Sequence, residues 1–173
     1  MKTLALIACL ALAAFAGWKH FTSANAATSG SAPASGNPIE IVGPDLYDAH
    51  QVSLSGFAPG RVVVVNIWAS YCSACNVEAP GLKAFAAAHP GALFSLDTNE
   101  PASAGQAALA SWGFRPQAVV SDPTRQLGFS PGIHCTGLPC TLFLNAQHRL
   151  TTMIVGALQP DEWARNYQAA GGS

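Results

Sequence analysis

Val65-Asn66-Ile67-Trp68-Ala69-Ser70-Tyr71-Cys72-Ser73-Ala74-Cys75-Asn76-Val77-Glu78-Ala79-Pro80 is the stretch on which the reading of this chain turns. It opens on the end of a β-branched run, Arg61 to Trp68, of the kind that forms a central strand buried on both faces. Two cysteines follow at once. From Cys75 to His89 the chain is Ala-rich, with Val77, Leu82 and Phe85 expected to face inward from a helix. Pro80 predicts a kink in that helix, and His89-Pro90-Gly91 ends it.

A Cys-x-x-Cys pair between a strand and a helix has a definite chemistry. Only a thiolate attacks a disulfide, so the nucleophile needs a lowered pKa. A helix N-terminus supplies unpaired N–H groups and a partial positive charge. The three-residue spacing puts the second thiol within bonding reach. Cys72 is therefore expected to attack and Cys75 to resolve the mixed disulfide. Two other readings stay open: a purely structural disulfide, and half of a zinc site. Cys135-x4-Cys140 would be a poor mate for the latter.

Outward from this centre the elements alternate. Ile39 to Val42 and Gln51 to Leu54 read as short strands, as do Ala92 to Leu96 and Ala118 to Val120. Ala102 to Trp112 reads as a helix ended by Gly113, and Thr124 to Phe129 as a short helical turn. Thr141 to Asn145 and Arg149 to Val155 read as a strand pair. Asp161 to Ala170 closes as a helix with acids in its first turn. The fold class is α/β, a central mixed sheet flanked by helices.

The 173 residues are half hydrophobic and only 10% charged, which excludes a disordered or fibrous chain. A formal net charge of −1 gives no electrostatic case for nucleic acid. Met1-Lys2, the apolar run Leu4 to Ala16 and Ala24-Asn25-Ala26 make residues 1–26 a signal peptide or, given Lys19 and His20, a signal anchor and membrane tether. Residues 27–38 read as a flexible linker, and 39–173 as the folded domain. Cutting after Ala26 removes Cys9, Lys2 and Lys19, leaving four cysteines, 6 basic and 9 acidic residues, and a charge of −3. The chain is thus expected to be periplasmic or otherwise extracytoplasmic, where thiols meet an oxidising compartment.

The stretch from Val65 to Pro80 resembles the signature of exported thioredoxin-like proteins of the TlpA, ResA and cytochrome-c-biogenesis type, roughly VNFWASWCxPCxxExP. The resemblance runs from about Gln51 to about Trp163 and includes Ser121-Asp122-Pro123, Gly137-Leu138-Pro139 and Gly156. It implies a thioredoxin fold and thiol–disulfide exchange on protein substrates. The reductive direction is favoured, as in cytochrome c maturation, with recharging by a membrane electron donor or acceptor. Ala74 stands where the family has Pro, so the redox potential does not carry over. Tyr71 replaces the usual Trp.

In the family the Pro of Gly-x-Pro is cis and lies against the active disulfide. The resemblance therefore implies a cis Pro139, with Leu138 offering its backbone to substrate and Trp68 and Tyr71 close by. Where the family has Thr after this Pro, this chain has Cys140. Cys135 and Cys140 bracket the loop. They are expected to form a second, structural disulfide, with a second redox centre, free thiols or a metal site with His134 as alternatives.

Asn66 stands where cytoplasmic thioredoxins carry a buried Asp. Glu100, after the next strand, is the candidate acid/base toward Cys75, with Asp97 as fallback; the alternative is a solvated loop acid. Glu78 matches the family's Glu and reads either as a partner of the helix start or as an exposed carboxylate. Trp112 and Trp163 read as core or half-core residues, and His50, His89 and His148 as surface residues. No cofactor beyond the Cys72–Cys75 disulfide and no metal are expected. The rivals are a disulfide-forming oxidase or isomerase, a copper-site assembly factor using Cys72, Cys75 and His134, and a redox-inert binding module.

Overall fold

Arg61 to Trp68 is the apolar axis of the molecule, and in the computed structural model its Val63–Trp68 part is the middle strand, buried along its whole length. The structure describes residues 36–129 and 132–173, which fall within one compact unit. The expectations for residues 1–26, and for the linker up to residue 35, lie outside the described residues. No described helix is long and apolar enough to cross a membrane.

Strands β1 (Val42–Pro44) and β2 (Gln51–Ser53) form a small antiparallel pair. Helix α1 (Leu54–Phe57) follows, capped by Ser53, whose Oγ accepts from Gly56 N. Then come β3 (Val63–Trp68), α2 (Ser73–Ala88), β4 (Leu93–Thr98), α3 (Ala102–Ser111) and β5 (Ala118–Asp122). A 3-10 turn (Leu127–Phe129), the strands β6 (Cys140–Leu144) and β7 (Leu150–Val155), and α4 (Pro160–Ala169) complete the chain. The main sheet has the order β5-β4-β3-β6-β7. β3 is parallel to β4 and antiparallel to β6, so the sheet is mixed.

Side-chain alternation along β3 makes two cores. Val63, Val65 and Ile67 join Phe94, Leu96, Val120, Leu142 and the N-terminal Ile39, Ile41 and Leu54. Val64 points the other way, among Leu82, Phe85, Phe143 and Trp163. Trp68 meets Cys75, Ala108, Leu109 and Val119. Each fully buried Val or Ile of β3 contributes about 1.5–3 kcal/mol by leaving water.

Several expectations need correction. Val77 is 76% exposed, and Glu78 takes the inward position beside it. The inward stripe of α2 is Cys75, Glu78, Ala79, Leu82 and Phe85, and 77 falls outside its 3.6-residue period. Ile39 and Ile41 are buried, but outside a strand ladder: Ile39 N donates to His148 O, and Leu54 N to Ile41 O. β4 runs on through the polar Asp97 and Thr98, since Asp97 pairs in register with Trp68 and Ser121. His148 is buried, with Nε2 2.9 Å from Ala58 O. α2 continues through Pro80, and α1 is an added element.

Candidate active site

The end of β3 and the start of α2 place the cysteines. Cys72 is the N-cap residue of α2, and its Sγ accepts from Cys75 N at 3.1 Å. The first helical N–H groups and the helix dipole thus act on the Cys72 sulfur, which favours its thiolate. Cys72 and Cys75 form a disulfide. Cys75 is buried, whereas Cys72 is partly exposed. Outside chemistry therefore reaches Cys72 first, and Cys75 is the partner it finds behind it.

Cys72 opens into a groove of about 390 Å³, lined by Tyr71 to Ala74 on one side and by Arg125, Gly137 and Leu138 on the other. The Leu138–Pro139 peptide bond is cis. Pro139 O accepts from Gly156 N at 2.8 Å, which ties this loop to the end of β7. Tyr71 is 60% exposed, and its hydroxyl accepts from Asn99 Nδ2 at 2.9 Å. Trp68 lies behind the disulfide, its Nε1 donating to Ser95 Oγ at 2.7 Å and its ring 4.8 Å from that of Trp112. Trp112 Nε1 in turn donates to Asn76 Oδ1, and Asn76 Nδ2 to Cys72 O. Of the residues singled out in the sequence, Tyr71, Cys72 and Leu138 thus meet at the groove, with Pro139 next in the loop and Trp68 and Cys75 beneath.

The acids are arranged differently from the sequence reading. Glu78 is 3% exposed, one helical turn from Cys75 on the same buried stripe of α2. Its carboxylate accepts from Asn66 Nδ2 at 2.9 Å and from Leu158 N at 2.8 Å. Burial pushes its pKa up to about 7, against the pull of those two hydrogen bonds. The reading of Glu78 as an exposed carboxylate is therefore overturned: Asn66 on β3 and the backbone after β7 draw it inward. Glu100 is buried too, so it is not a solvated loop acid. Its carboxylate accepts from Ser70 N at 2.6 Å and from Ser70 Oγ. Asp97 is wholly buried at the end of β4. The clue to Glu78 was in the sequence: it stands three residues after Cys75 and four before Leu82, the spacing of one helical face.

Cys135 and Cys140 form a second disulfide, five residues apart. Both are buried, in the core that holds Ile67 and Leu142. Cys140 pairs in register with Ile67, on the face of β3 opposite to Trp68 and Cys75. The sheet therefore separates the two disulfides. His134 is exposed, and among the described residues neither it nor Cys72 or Cys75 belongs to any cluster of three metal-ligating side chains. Replacing both Cys135 and Cys140 by Ala is expected to cost about 2 kcal/mol in lost loop constraint alone. Denaturant unfolding with Cys72–Cys75 kept oxidised measures this, and an unchanged midpoint would deny the staple its structural role.

No model of a known protein family matches the chain. It is 27% identical over 125 residues to the thiol:disulfide interchange protein DsbE of Allochromatium vinosum, covering 72% of this chain and 68% of the relative. It is 30% identical over 105 residues to the thiol:disulfide interchange protein HelX of Rhodobacter capsulatus, covering 59% of this chain and 56% of HelX. Among solved structures, a thioredoxin-family thiol:disulfide interchange protein from Chlorobium tepidum superposes with a TM-score of 0.66, at 22% identity, over 82% of this chain and all of the other. A DsbF homologue from Corynebacterium diphtheriae gives 0.65 at 20% identity, over 77% and 85%. The sheet order, the Cys72–Cys75 disulfide at a helix start and these similarities agree: the chain is a thioredoxin-fold relative of the DsbE and HelX thiol:disulfide interchange proteins.

Proposed function

We propose that this chain is a thiol–disulfide oxidoreductase that reduces disulfides in protein substrates outside the cytoplasm. The observation that carries the reading is the asymmetry of the Cys72–Cys75 pair, one sulfur capping a helix at an open groove and the other buried behind it.

In the reduced protein the Cys72 thiolate attacks a substrate disulfide. A mixed disulfide forms and one substrate thiolate leaves. Cys75 then gives up its proton and attacks the Cys72 sulfur. The intramolecular disulfide forms, the second substrate thiolate leaves, and two electrons have passed to the substrate. Cys75 lies in an apolar setting with Trp68 and Leu109, which disfavours its thiolate. It needs a nearby base, and Glu78 serves. One turn away on the same helical face and with a pKa of about 7, Glu78 can take that proton and release it again near neutral pH. Glu100, bound at both oxygens to Ser70, has a different task.

The substrates we favour are the Cys-x-x-Cys thiols of apocytochromes, kept reduced for haem attachment, with electrons restored by a membrane donor. The names of DsbE and HelX support the exchange chemistry, and the resemblance to the cytochrome-c-biogenesis type supports the substrate. Equilibrating the protein in a thiol redox series, alkylating it and mapping each cysteine by mass tests the direction. A Cys72–Cys75 potential below about −220 mV is expected for a reductase. A value near about −120 mV would instead indicate a disulfide-forming oxidase. In the same maps Cys135 and Cys140 are expected to stay paired while Cys72 and Cys75 are reduced.

A further inference from the structure

Asp97 is a buried carboxyl for which the exchange chemistry has no use. It is the last residue but one of β4 and has no exposed surface, and neither of its oxygens meets a donor. What faces it is another acceptor, the Glu100 carboxyl. Helix α3 closes over Asp97 with Gly105, where a Cβ would come within 2.1 Å of Asp97 Oδ2. So close an approach leaves no room for a water between Gly105 and that carboxyl. The next acid, Asp122 on β5, already accepts from Thr98 Oγ1 and from the backbone N–H groups of Gln126, Leu127 and Gly128. Glu100 has donors too, both from Ser70. Asp97 alone has none. Two carboxylates in one dry site do not both ionise, so the proton belongs to Asp97.

We propose that Asp97 and Glu100 are a carboxyl pair sharing one proton, which positions the segment just ahead of Cys72. The protonated Asp97 donates to Glu100, and Glu100 as carboxylate holds Ser70 by its N–H and its hydroxyl. Ser70 stands two residues before Cys72, and Cys72 N donates to Ala69 O. Asn76 reaches the same segment from the other side, with Nδ2 on Ser70 O and Cys72 O. The turn that carries the nucleophile is therefore fastened from the sheet by Glu100 and from the helix by Asn76. The assignment rests on the exchange activity inferred above only for its purpose. The pairing itself is a statement about a proton.

The charges that bear on Asp97 are those of Glu100 and Asp122, both of which oppose its ionisation, and burial, which does so most. Together they raise its pKa to about 9. At pH 8 Glu78 is mostly ionised, whereas Asp97 keeps its proton. Infrared spectra of the oxidised full chain at pH 8 are expected to show the carbonyl band of a protonated carboxylic acid. The band is expected to vanish in Asp97→Asn. In Glu100→Gln it is expected to persist but to shift in frequency, because burial still holds the proton on Asp97 while its acceptor changes from a carboxylate to an amide oxygen. Absence of the band in the wild type, or an unshifted band in Glu100→Gln, overturns the pair. The positioning role is read from kcat/KM for reduction of a disulfide peptide at pH 8. Asp97→Leu leaves Glu100 without that donor and is expected to lower kcat/KM by roughly tenfold to a hundredfold. Asp97→Asn supplies a donor again and is expected to restore most of the loss. Equal losses in the two variants would mean that Asp97 merely fills space. If the wild type itself reduces no disulfide, the exchange reading fails, while the infrared result still decides the pair.

Discussion

Cys72→Ser is expected to bring disulfide reduction down to the uncatalysed rate, a loss of at least about a thousandfold. The serine keeps the cap on α2, since its hydroxyl can accept from Cys75 N as the sulfur does. The fold should survive, and the missing activity then reports on the nucleophile alone. Cys75→Ser is expected to behave differently. Cys72 still attacks, but nothing resolves the mixed disulfide, so the chain should accumulate covalently joined to its substrate. Gel shift of an alkylated mixture under non-reducing conditions measures both. If Cys75→Ser formed no adduct while Cys72→Ser did, the roles would be reversed. That outcome conflicts with a Cys75 that is 2% exposed and a Cys72 that lines the groove.

The second large effect belongs to Glu78. Glu78→Gln removes the base and leaves an amide of nearly the same size. The resolving step is expected to slow by about a hundredfold or more. In the wild type this step should quicken as pH rises through about 7, where Glu78 becomes able to accept a proton. In the Gln variant that limb should be missing. Stopped-flow release of substrate from a preformed mixed disulfide isolates the step from the titration of Cys72. A limb that persists in Glu78→Gln would assign the proton to another group. Stability gives an independent check. The folded-state pKa of Glu78 is raised from 4.5 to about 7. Between those values the unfolded chain releases a proton that the folded chain retains. The stabilisation is therefore whole below about pH 4.5 and is lost as pH rises to about 7. The loss is on the order of 3 kcal/mol. Denaturant unfolding of the oxidised protein should show this decline, and Glu78→Gln should make it shallower between about pH 4.5 and 7, the slope that remains belonging to the buried Asp97.

The two acids also show where sequence reading reaches its limit. Glu78 lay on a legible helical stripe, but Val77 beside it offered the more obvious apolar side chain. In the structure Asn66 Nδ2 and Leu158 N reach the inward position, and neither is close to Glu78 in sequence. A donor supplied from 80 residues away leaves no local trace. The strand expected from the sequence stops at Leu96, one residue short of Asp97. Parallel pairing with Trp68 and with Ser121 on β5 carried the strand past it and buried it.

What the sequence determined by itself is the central strand, the helix after it and the chemistry at their junction. Those follow from local causes: a β-branched run buried on both faces, a helical apolar period, and a thiol at a helix start. The strand pair near the C-terminus and the last helix were legible for the same reason. Only the tertiary structure decided the rest. It set the separation of the Cys135–Cys140 disulfide from the active pair by the sheet, because Cys140 faces with Ile67 and Cys75 with Trp68. It bound Glu100 to Ser70, thirty residues earlier in the chain. And it put two carboxyls in one dry site with a single proton's worth of room, since a pKa is set by whatever long-range packing places next to the group, and by the water it excludes.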